Sequence, residues 1–154
     1  MEDSLGGRRI MAFVMGFDPG EQTGVSRYLD GILSELFTIS PAQYGAVLAD
    51  YKPDLLVVED SRLQSHVFTG PKESPAARLK IARNIGMVDG FCSILTRMAE
   101  TLEIPMIGVS PLGKGVKINA AQLATITGWT GKSNQHERDA AAVAHKYRNW
   151  SKTK

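Results

Sequence analysis

The chain has 154 residues, with 18 lysines and arginines against 16 aspartates and glutamates. This length favours one domain that can bury a core without disulfide bonds, and a single cysteine, Cys92, excludes an internal disulfide framework. The sequence shows no signal peptide and no long apolar span, so it predicts a cytosolic protein and no association with a membrane. The net charge of +2 is too small to indicate a partner.

Alternating strands and helices are predicted between a flexible polar leader at residues 1–8 and a basic tail at residues 151–154. Strands are predicted at 10–18, 23–29, 33–40, 54–59 and 106–109, with a hairpin turn at Asp30-Gly31. Apolar spacing and capping residues predict helices at 41–51, 75–103, 116–127 and 135–149. This order predicts an α/β fold with a mixed sheet, in which a three-stranded antiparallel meander precedes parallel strands flanked by helices, within one domain at 9–150.

Three acidic residues lie at the ends of predicted elements that the core should bury. Asp18 ends the first apolar strand, Glu59 ends the fourth, and Asp139 opens an alanine-rich helical stretch. A carboxylate at the edge of a core is costly unless it is paired, hydrogen-bonded or bound to a metal. Carboxylates on two strands and one helix therefore indicate a hard divalent cation held by oxygen ligands.

Each of these residues also has an explanation that involves no catalysis. Asp18 could be a turn residue before Pro19, Glu59 could simply end a strand, and Asp139 could favour a helix N-terminus through the helix dipole. His136, three residues before Asp139, shares its helical face and could ligate a metal, orient an attacking water molecule as a general base, or have no chemical role. The coincidence of all four favours a catalytic site.

Basic residues are concentrated in separate stretches of the sequence. Between residues 62 and 83 there are five basic residues and one acid, and neither 104–135 nor 145–154 contains an acid. Such segregation usually marks a solvated face, but beside an acidic metal site it points to a phosphate polymer. The candidate DNA contacts are Arg62, Phe68, Lys72, Arg78, Arg83, Lys114, Lys117 and Lys132. Phe68 is a candidate for stacking on bases or wedging a junction, and Trp129 is either a packed aromatic residue or a second such candidate.

The element order and three motifs resemble those of the RuvC family of Holliday-junction resolvases, within the ribonuclease H-like fold. The motifs are Gly16-Phe17-Asp18-Pro19-Gly20 with Thr23-Gly24 following, the hydrophobic strand that ends in Glu59, and His136-Glu137-Arg138-Asp139-Ala140. The likeness spans residues 10–150 and is greatest to compact phage-type members, which would act in the cytoplasm of a bacterial host. It implies metal ligands at Asp18, Glu59, His136 and Asp139.

The resemblance implies a metal-dependent endonuclease that resolves four-way or other branched DNA in recombination and repair. Two Mg²⁺ ions about 4 Å apart can activate water, neutralise charge on the phosphate and stabilise the leaving oxygen, and Mn²⁺ is compatible with a histidine near the site. Asp18 would bridge the two ions. A homodimer is implied because two strands must be cut symmetrically, with Gly86, Met87, Gly90 and Phe91 on the long helix as its candidate interface.

Other functions are compatible with the same residues. A nuclease of the same fold that cuts RNA in RNA–DNA hybrids would use the same metal ligands. A lobe of an actin-like ATPase also carries an Asp-x-Gly motif with threonine and glycine nearby, although that class needs two lobes to enclose a nucleotide. A junction-binding protein without catalysis would not need the intact acidic set.

Overall fold

The computed structural model describes residues 12–64, 73–113 and 116–152. Its strands are β1 (Phe13–Asp18), β2 (Thr23–Leu29), β3 (Ile32–Ile39), β4 (Leu55–Glu59) and β5 (Met106–Val109). Its helices are α1 (Tyr44–Tyr51), α2 (Pro75–Thr101), α3 (Ala120–Thr127) and α4 (Gln135–His145), and short 3-10 turns lie at Pro41–Gln43, Ser61–Leu63 and Pro111–Gly113. None of the described helices is long and apolar enough to cross a membrane.

The five strands form one mixed sheet in the order β3-β2-β1-β4-β5. β1, β2 and β3 pair antiparallel, whereas β4 pairs parallel to β1 and β5 parallel to β4. Asp30 and Gly31, between β2 and β3, both have positive φ, at 56° and 86°, as a two-residue hairpin turn of type I′ requires. These observations confirm the predicted meander followed by parallel strands.

Four predicted helix boundaries differ from the structure. α1 begins at Tyr44 rather than at residue 41, because Pro41–Gln43 form a 3-10 turn, and α2 ends at Thr101 rather than at residue 103. α3 begins at Ala120 rather than at residue 116, because Asn119 caps it: the Asn119 side chain accepts a hydrogen bond from Gln122 N at 2.8 Å. α4 ends at His145 rather than at residue 149, and residues 146–149 form turns. Hydrophobic spacing does not report such local hydrogen bonding. The predicted leader at 1–8 and the end of the tail at 153–154 lie outside the described residues.

Two apolar layers cover the two faces of the sheet. Between the sheet and helices α1 and α2 the buried side chains include Met15, Phe17, Tyr44, Leu48, Leu56, Val58 and Leu95. On the face that α3 and α4 cover they include Val14, Tyr28, Leu55, Val57, Leu123 and Ala144. β4 contributes to both layers, which confirms its predicted burial on both faces and explains its continuous run of apolar residues.

α4 lies close against β1 and β2 because each strand presents a glycine beneath it. A Cβ atom on Gly16 would lie 2.6 Å from the hydroxyl oxygen of Ser26 and would collide with the carbonyl oxygen of Ala140. A Cβ atom on Gly24 would overlap the carbonyl group of His136. The backbone at the start of α4 therefore rests on the backbone of the sheet, with no side chain between them.

Two hydroxyl groups of β2 hold α4 in this position. Ser26 donates a hydrogen bond to Ala140 O at 2.9 Å, and Tyr28 donates one to Ala141 O at 2.9 Å. Both side chains are buried, so an unpaired hydroxyl there would cost ~1–3 kcal/mol. Burial also raises the pKa of Tyr28, which keeps the phenol in its neutral, donating form. These bonds fix the position of α4 relative to β1 and β2.

Replacing Gly24 with alanine should push the start of α4 away from the sheet. The new methyl group would need the space of the His136 carbonyl group, so we expect the free energy of unfolding to fall by ~1–3 kcal/mol, as overpacking does. Urea unfolding followed by circular dichroism measures the change. Gly45→Ala in α1 is the matched control: its Cβ atom would lie 3.6 Å from Met98 Cε, an ordinary contact, and we expect no loss of stability. Equal stability of the two variants would contradict this account of α4.

Candidate active site

Asp18 and Glu59 are the last residues of two neighbouring parallel strands. In the register of β1 and β4, Phe17 lies opposite Val58, so Asp18 and Glu59 take the next positions. Successive side chains of a strand point to opposite faces. Because Phe17 and Val58 pack in the layer of α1 and α2, Asp18 and Glu59 lie on the opposite face, which α4 covers.

The first turn of α4 brings His136 to Asp18. His136 Nδ1 lies 3.7 Å from Asp18 Oδ2, and the imidazole is 48% exposed whereas Asp18 is partly buried. This distance is too long for a hydrogen bond. An attraction between the two groups is therefore electrostatic and requires a protonated His136.

Asp139 lies three residues further along α4 and is 3% exposed. Its two oxygens accept hydrogen bonds from different donors: Lys117 Nζ lies 2.7 Å from Oδ2, and Gln135 Nε2 lies 2.8 Å from Oδ1. The Lys117 side chain is 64% exposed, so the ion pair joins a buried carboxylate to an ammonium group at the surface. The two donors offset the cost of burying the charge of Asp139.

The turn that follows Asp18 is held by Thr23 and Tyr44. Thr23 Oγ1 donates to Gly20 O at 2.8 Å and lies 2.6 Å from the hydroxyl oxygen of Tyr44. Both side chains are fully buried, and burial is the main cause that raises the pKa of Tyr44 to about 12. The network fixes the backbone next to Asp18. Sequence analysis did not identify Tyr44, which comes from the helix on the other side of the sheet.

The chain after Glu59 is held by a second carboxylate, Asp60, which is buried on the α2 side. Asp60 accepts hydrogen bonds from Arg62 Nε at 2.9 Å and from Arg62 Nη2 at 2.8 Å, and these bonds are the largest cause of its lowered pKa. Arg62 also donates to Thr96 Oγ1 at 2.7 Å and to Ser93 Oγ at 3.3 Å, both on α2. The guanidinium group thus ties the end of β4 to α2.

The structure describes only some of the other candidate DNA contacts. Phe68, Lys72 and Lys114 lie outside the described residues. Arg78 and Arg83 are exposed on α2, and Lys132 is exposed between α3 and α4. Trp129 packs partly against the apolar layer of α3 and α4 and donates from Nε1 to Lys132 O at 3.2 Å. That packing supports the structural explanation of Trp129 over a role in base stacking.

The four predicted metal ligands belong to three elements that meet at one end of the sheet. In the described part of the chain, no group of three or more histidine, cysteine, aspartate or glutamate side chains is arranged so that it could hold a metal ion as it stands. His136 is next to Asp18, Asp139 is paired with Lys117, and Glu59 is half-buried. Carboxylate oxygens nonetheless suit a hard divalent cation. In this structure the positive charge beside Asp139 comes from the ammonium group of Lys117.

No family model matches the sequence, and no curated protein matches it in a sequence search. Solved structures do match the fold. The RuvC of T. thermophilus in complex with a Holliday junction substrate aligns with a TM-score of 0.60 and 17% identity, over 92% of this chain and 94% of that chain. A second Thermus thermophilus RuvC structure aligns with a TM-score of 0.59 and 18% identity, over 90% of this chain and 94% of that chain. The chain therefore has the ribonuclease H-like fold of RuvC, as its motifs predicted.

Proposed function

We propose that this protein is a metal-dependent endonuclease that resolves four-way or other branched DNA junctions. The proposal rests on one observation: carboxylates from β1, β4 and α4 lie at the carboxyl end of the central parallel strands, in a fold shared with RuvC. Asp18 pairs with Gly24 in the β1–β2 ladder, and the start of α4 rests on Gly24, so α4 brings His136 and Asp139 to the end of β1.

The ligands that we propose for two Mg²⁺ ions are Asp18, Glu59, His136 and Asp139. Three carboxylates supply hard oxygen ligands, and the imidazole nitrogen makes Mn²⁺ an alternative. Such ions supply Lewis acidity, which activates water and neutralises charge on the scissile phosphate. Glu59 ends β4 and Asp18 ends the neighbouring strand β1, so both carboxylates lie at the same end of the sheet.

Among the described residues, His136 is well placed to move a proton. Its imidazole is exposed to water and lies beside Asp18. In its neutral form the ring accepts a proton from an attacking water molecule, and the nearby carboxylate then stabilises the imidazolium ion. His136 therefore serves either as a ligand or as a general base in this proposal.

The DNA backbone would contact cations around the site and along α2. The first turns of α2 carry Arg78, Lys80 and Arg83 and contain no acid before Asp89. With Lys132, and with Lys72 and Lys114 outside the described residues, these cations suit a phosphate backbone that runs past the metal site. We retain Phe68 as the candidate for wedging between bases.

We propose that two copies associate through α2 so that two sites act on two strands. α2 has 27 residues, and its buried residues, Cys92, Leu95 and Ala99, all belong to its second half. Its first half exposes Leu79 and Met87, and a Cβ atom on Gly86 would meet no described atom within 4 Å. Phe91, in contrast, packs partly against the core of the same chain. The proposed interface is therefore centred on Leu79 and Met87.

Asp18→Asn should abolish junction cleavage while leaving junction binding intact. The amide keeps the shape of the side chain but removes the charge that a cation needs, so we expect a loss of cleavage of at least ~100-fold. A labelled four-way junction, a matched linear duplex and an RNA–DNA hybrid are incubated with wild type and variant, in Mg²⁺ or in chelator. Asp50→Asn, on the exposed face of α1, is the control and should cleave like wild type.

Cleavage of the hybrid instead of the junction would identify the other nuclease of this fold. If wild type cleaved no substrate, the proposal would be wrong: the acidic cluster would be structural, or the protein would bind DNA without cutting it. Gel-shift binding in chelator verifies that the Asp18→Asn protein still recognises the junction.

Leu79→Glu should convert the dimer to a monomer and replace paired cuts with single nicks. A carboxylate at this position, where the side chain is 58% exposed, leaves the fold intact but places charge in the proposed apolar contact. Light scattering after size-exclusion chromatography measures the mass. Ile32→Glu, at an exposed apolar position on β3, should remain dimeric. A wild-type monomer, or a dimeric Leu79→Glu protein, would refute the interface.

Arg62→Ala should lower the free energy of unfolding and have little effect on the affinity for junction DNA. It leaves Asp60 buried without its bidentate partner, for which we expect a loss of ~1–3 kcal/mol in the free energy of unfolding near neutral pH. The pKa of Asp60 is lowered in the folded state, so the stabilisation is present above the ordinary aspartate pKa and is lost as the pH falls through the lowered value. The stability difference between wild type and variant should therefore shrink in acid.

Arg83→Ala is the counterpart on the exposed face of α2. We expect it to weaken junction binding and to reduce the salt dependence of binding by about one phosphate contact, with stability unchanged. If Arg62→Ala instead weakened binding as Arg83→Ala does and unfolded like wild type, Arg62 would be a DNA contact.

A further inference from the structure

Lys117 engages a carboxylate that the proposed function assigns to a metal. Its ammonium nitrogen lies 2.7 Å from Asp139 Oδ2, and Gln135 Nε2 lies 2.8 Å from the other oxygen. Asp139 is buried, whereas the Lys117 side chain is 64% exposed, so only the carboxylate end of this ion pair is shielded from water. A cation that binds Asp139 must displace Lys117 or Gln135 from the carboxylate, or share the carboxylate with them.

Charge makes Lys117 the stronger competitor. Its hydrogen bond to Asp139 is assisted by a full positive charge, whereas Gln135 donates from a neutral amide. A divalent cation on Asp139 would also repel an ammonium group left in contact with the same carboxylate, since two positive charges would then lie close together. Lys117 and the metal therefore exclude each other from Asp139, whereas Gln135 can stay.

The backbone next to Lys117 is held by a hydrogen bond, whereas the Lys117 side chain can move. Ile118 O accepts a hydrogen bond from Arg138 Nε at 3.0 Å, which attaches this segment to α4. The Lys117 side chain is 64% exposed, and its four-carbon stem can rotate between Asp139 and solvent. The ammonium group can thus leave the carboxylate without any movement of α3 or α4.

We infer that Lys117 exchanges its ion pair with Asp139 for one with a DNA phosphate, and that this exchange couples metal binding to DNA binding. Without DNA, the ammonium group stays on Asp139 and opposes the entry of a divalent cation. A phosphate beside the site draws the ammonium group away, and Asp139 then binds the cation more tightly. By linkage, bound metal must raise the affinity for DNA by the same factor. This inference rests on the proposed function, because it requires Asp139 to be a metal ligand.

Lys117→Met tests the exchange, because it keeps the length of the side chain and removes the charge. We expect the variant without DNA to bind Mn²⁺ roughly five- to tenfold more tightly than wild type, measured from the signal of free Mn²⁺ in electron paramagnetic resonance. Lys117→Arg keeps the charge and should bind Mn²⁺ like wild type. Lys152→Met is the matched control: its side chain is 60% exposed and lies 4.0 Å from Asp54, which precedes β4 at the opposite end of the sheet.

The coupling is measured as junction affinity in Ca²⁺, a hard cation of the same charge, relative to chelator. We expect Ca²⁺ to raise the affinity of wild type and of Lys152→Met by roughly fivefold, and to raise that of Lys117→Met by less than twofold. Fluorescence anisotropy of a labelled junction provides both values. Circular dichroism verifies that every variant is folded.

Two results would overturn the inference, and they have different meanings. If Asp139→Asn weakens Mn²⁺ binding but Lys117→Met binds Mn²⁺ no more tightly than wild type, the exchange is wrong and the metal site stands. If Asp139→Asn binds Mn²⁺ like wild type, Asp139 is no metal ligand, and the proposed metal site fails together with the exchange.

Discussion

The contact between α4 and the first two strands is the constraint on which the arrangement of the site depends. Gly16 and Gly24 have no side chain to hold the helix away, and two buried hydroxyl groups of β2 bond to carbonyl oxygens of α4. Asp18 is the neighbour of Gly24 in the β1–β2 ladder. The contact that seats α4 therefore also sets His136 beside Asp18, and a change in the height of the helix would move both groups of α4 relative to the strand.

The negative charges of Asp60 and Asp139 are compensated in different ways. The bonds to Asp60 suit a structural role, whereas the bond from Lys117 to Asp139 can exchange. Asp60 is bound by the two-pronged guanidinium group of Arg62, which also bonds to two hydroxyls of α2. Asp139 accepts one hydrogen bond from the ammonium group of an exposed lysine and another from the neutral amide of Gln135. Several simultaneous bonds in a planar geometry resist rearrangement, whereas a single bond from a flexible side chain does not. The first pair suits a structural joint, and the second suits a site that must admit a cation.

The sequence predicted features with a local signal, and missed those that arise between distant residues. The meander followed from the Asp30-Gly31 turn, and the buried β4 from its continuous apolar run. Asn119 and Gln122 carried a capping signal that hydrophobic spacing alone did not report. In contrast, Tyr44 acts on Thr23 across 21 residues and Lys117 on Asp139 across 22, and neither contact leaves a pattern in the sequence. Arg62 was predicted as a DNA contact from its charge and its position just past Glu59, and the sequence did not indicate that Asp60 binds it from two residues earlier.

The two faces of the sheet contribute differently to the same site. α4 supplies His136 and Asp139 on the face where Asp18 and Glu59 lie, whereas the layer of α1 and α2 supplies the bonds that fix the chain beside those strand ends. Tyr44 holds the turn after Asp18, and Arg62 holds the chain after Glu59. Tyr44 and Arg62 both act from the α1 and α2 face of the sheet, so neither side chain covers the solvent-exposed side of the site. Under the proposed function, that side would admit DNA while the bonds behind the sheet hold the two strand ends in place.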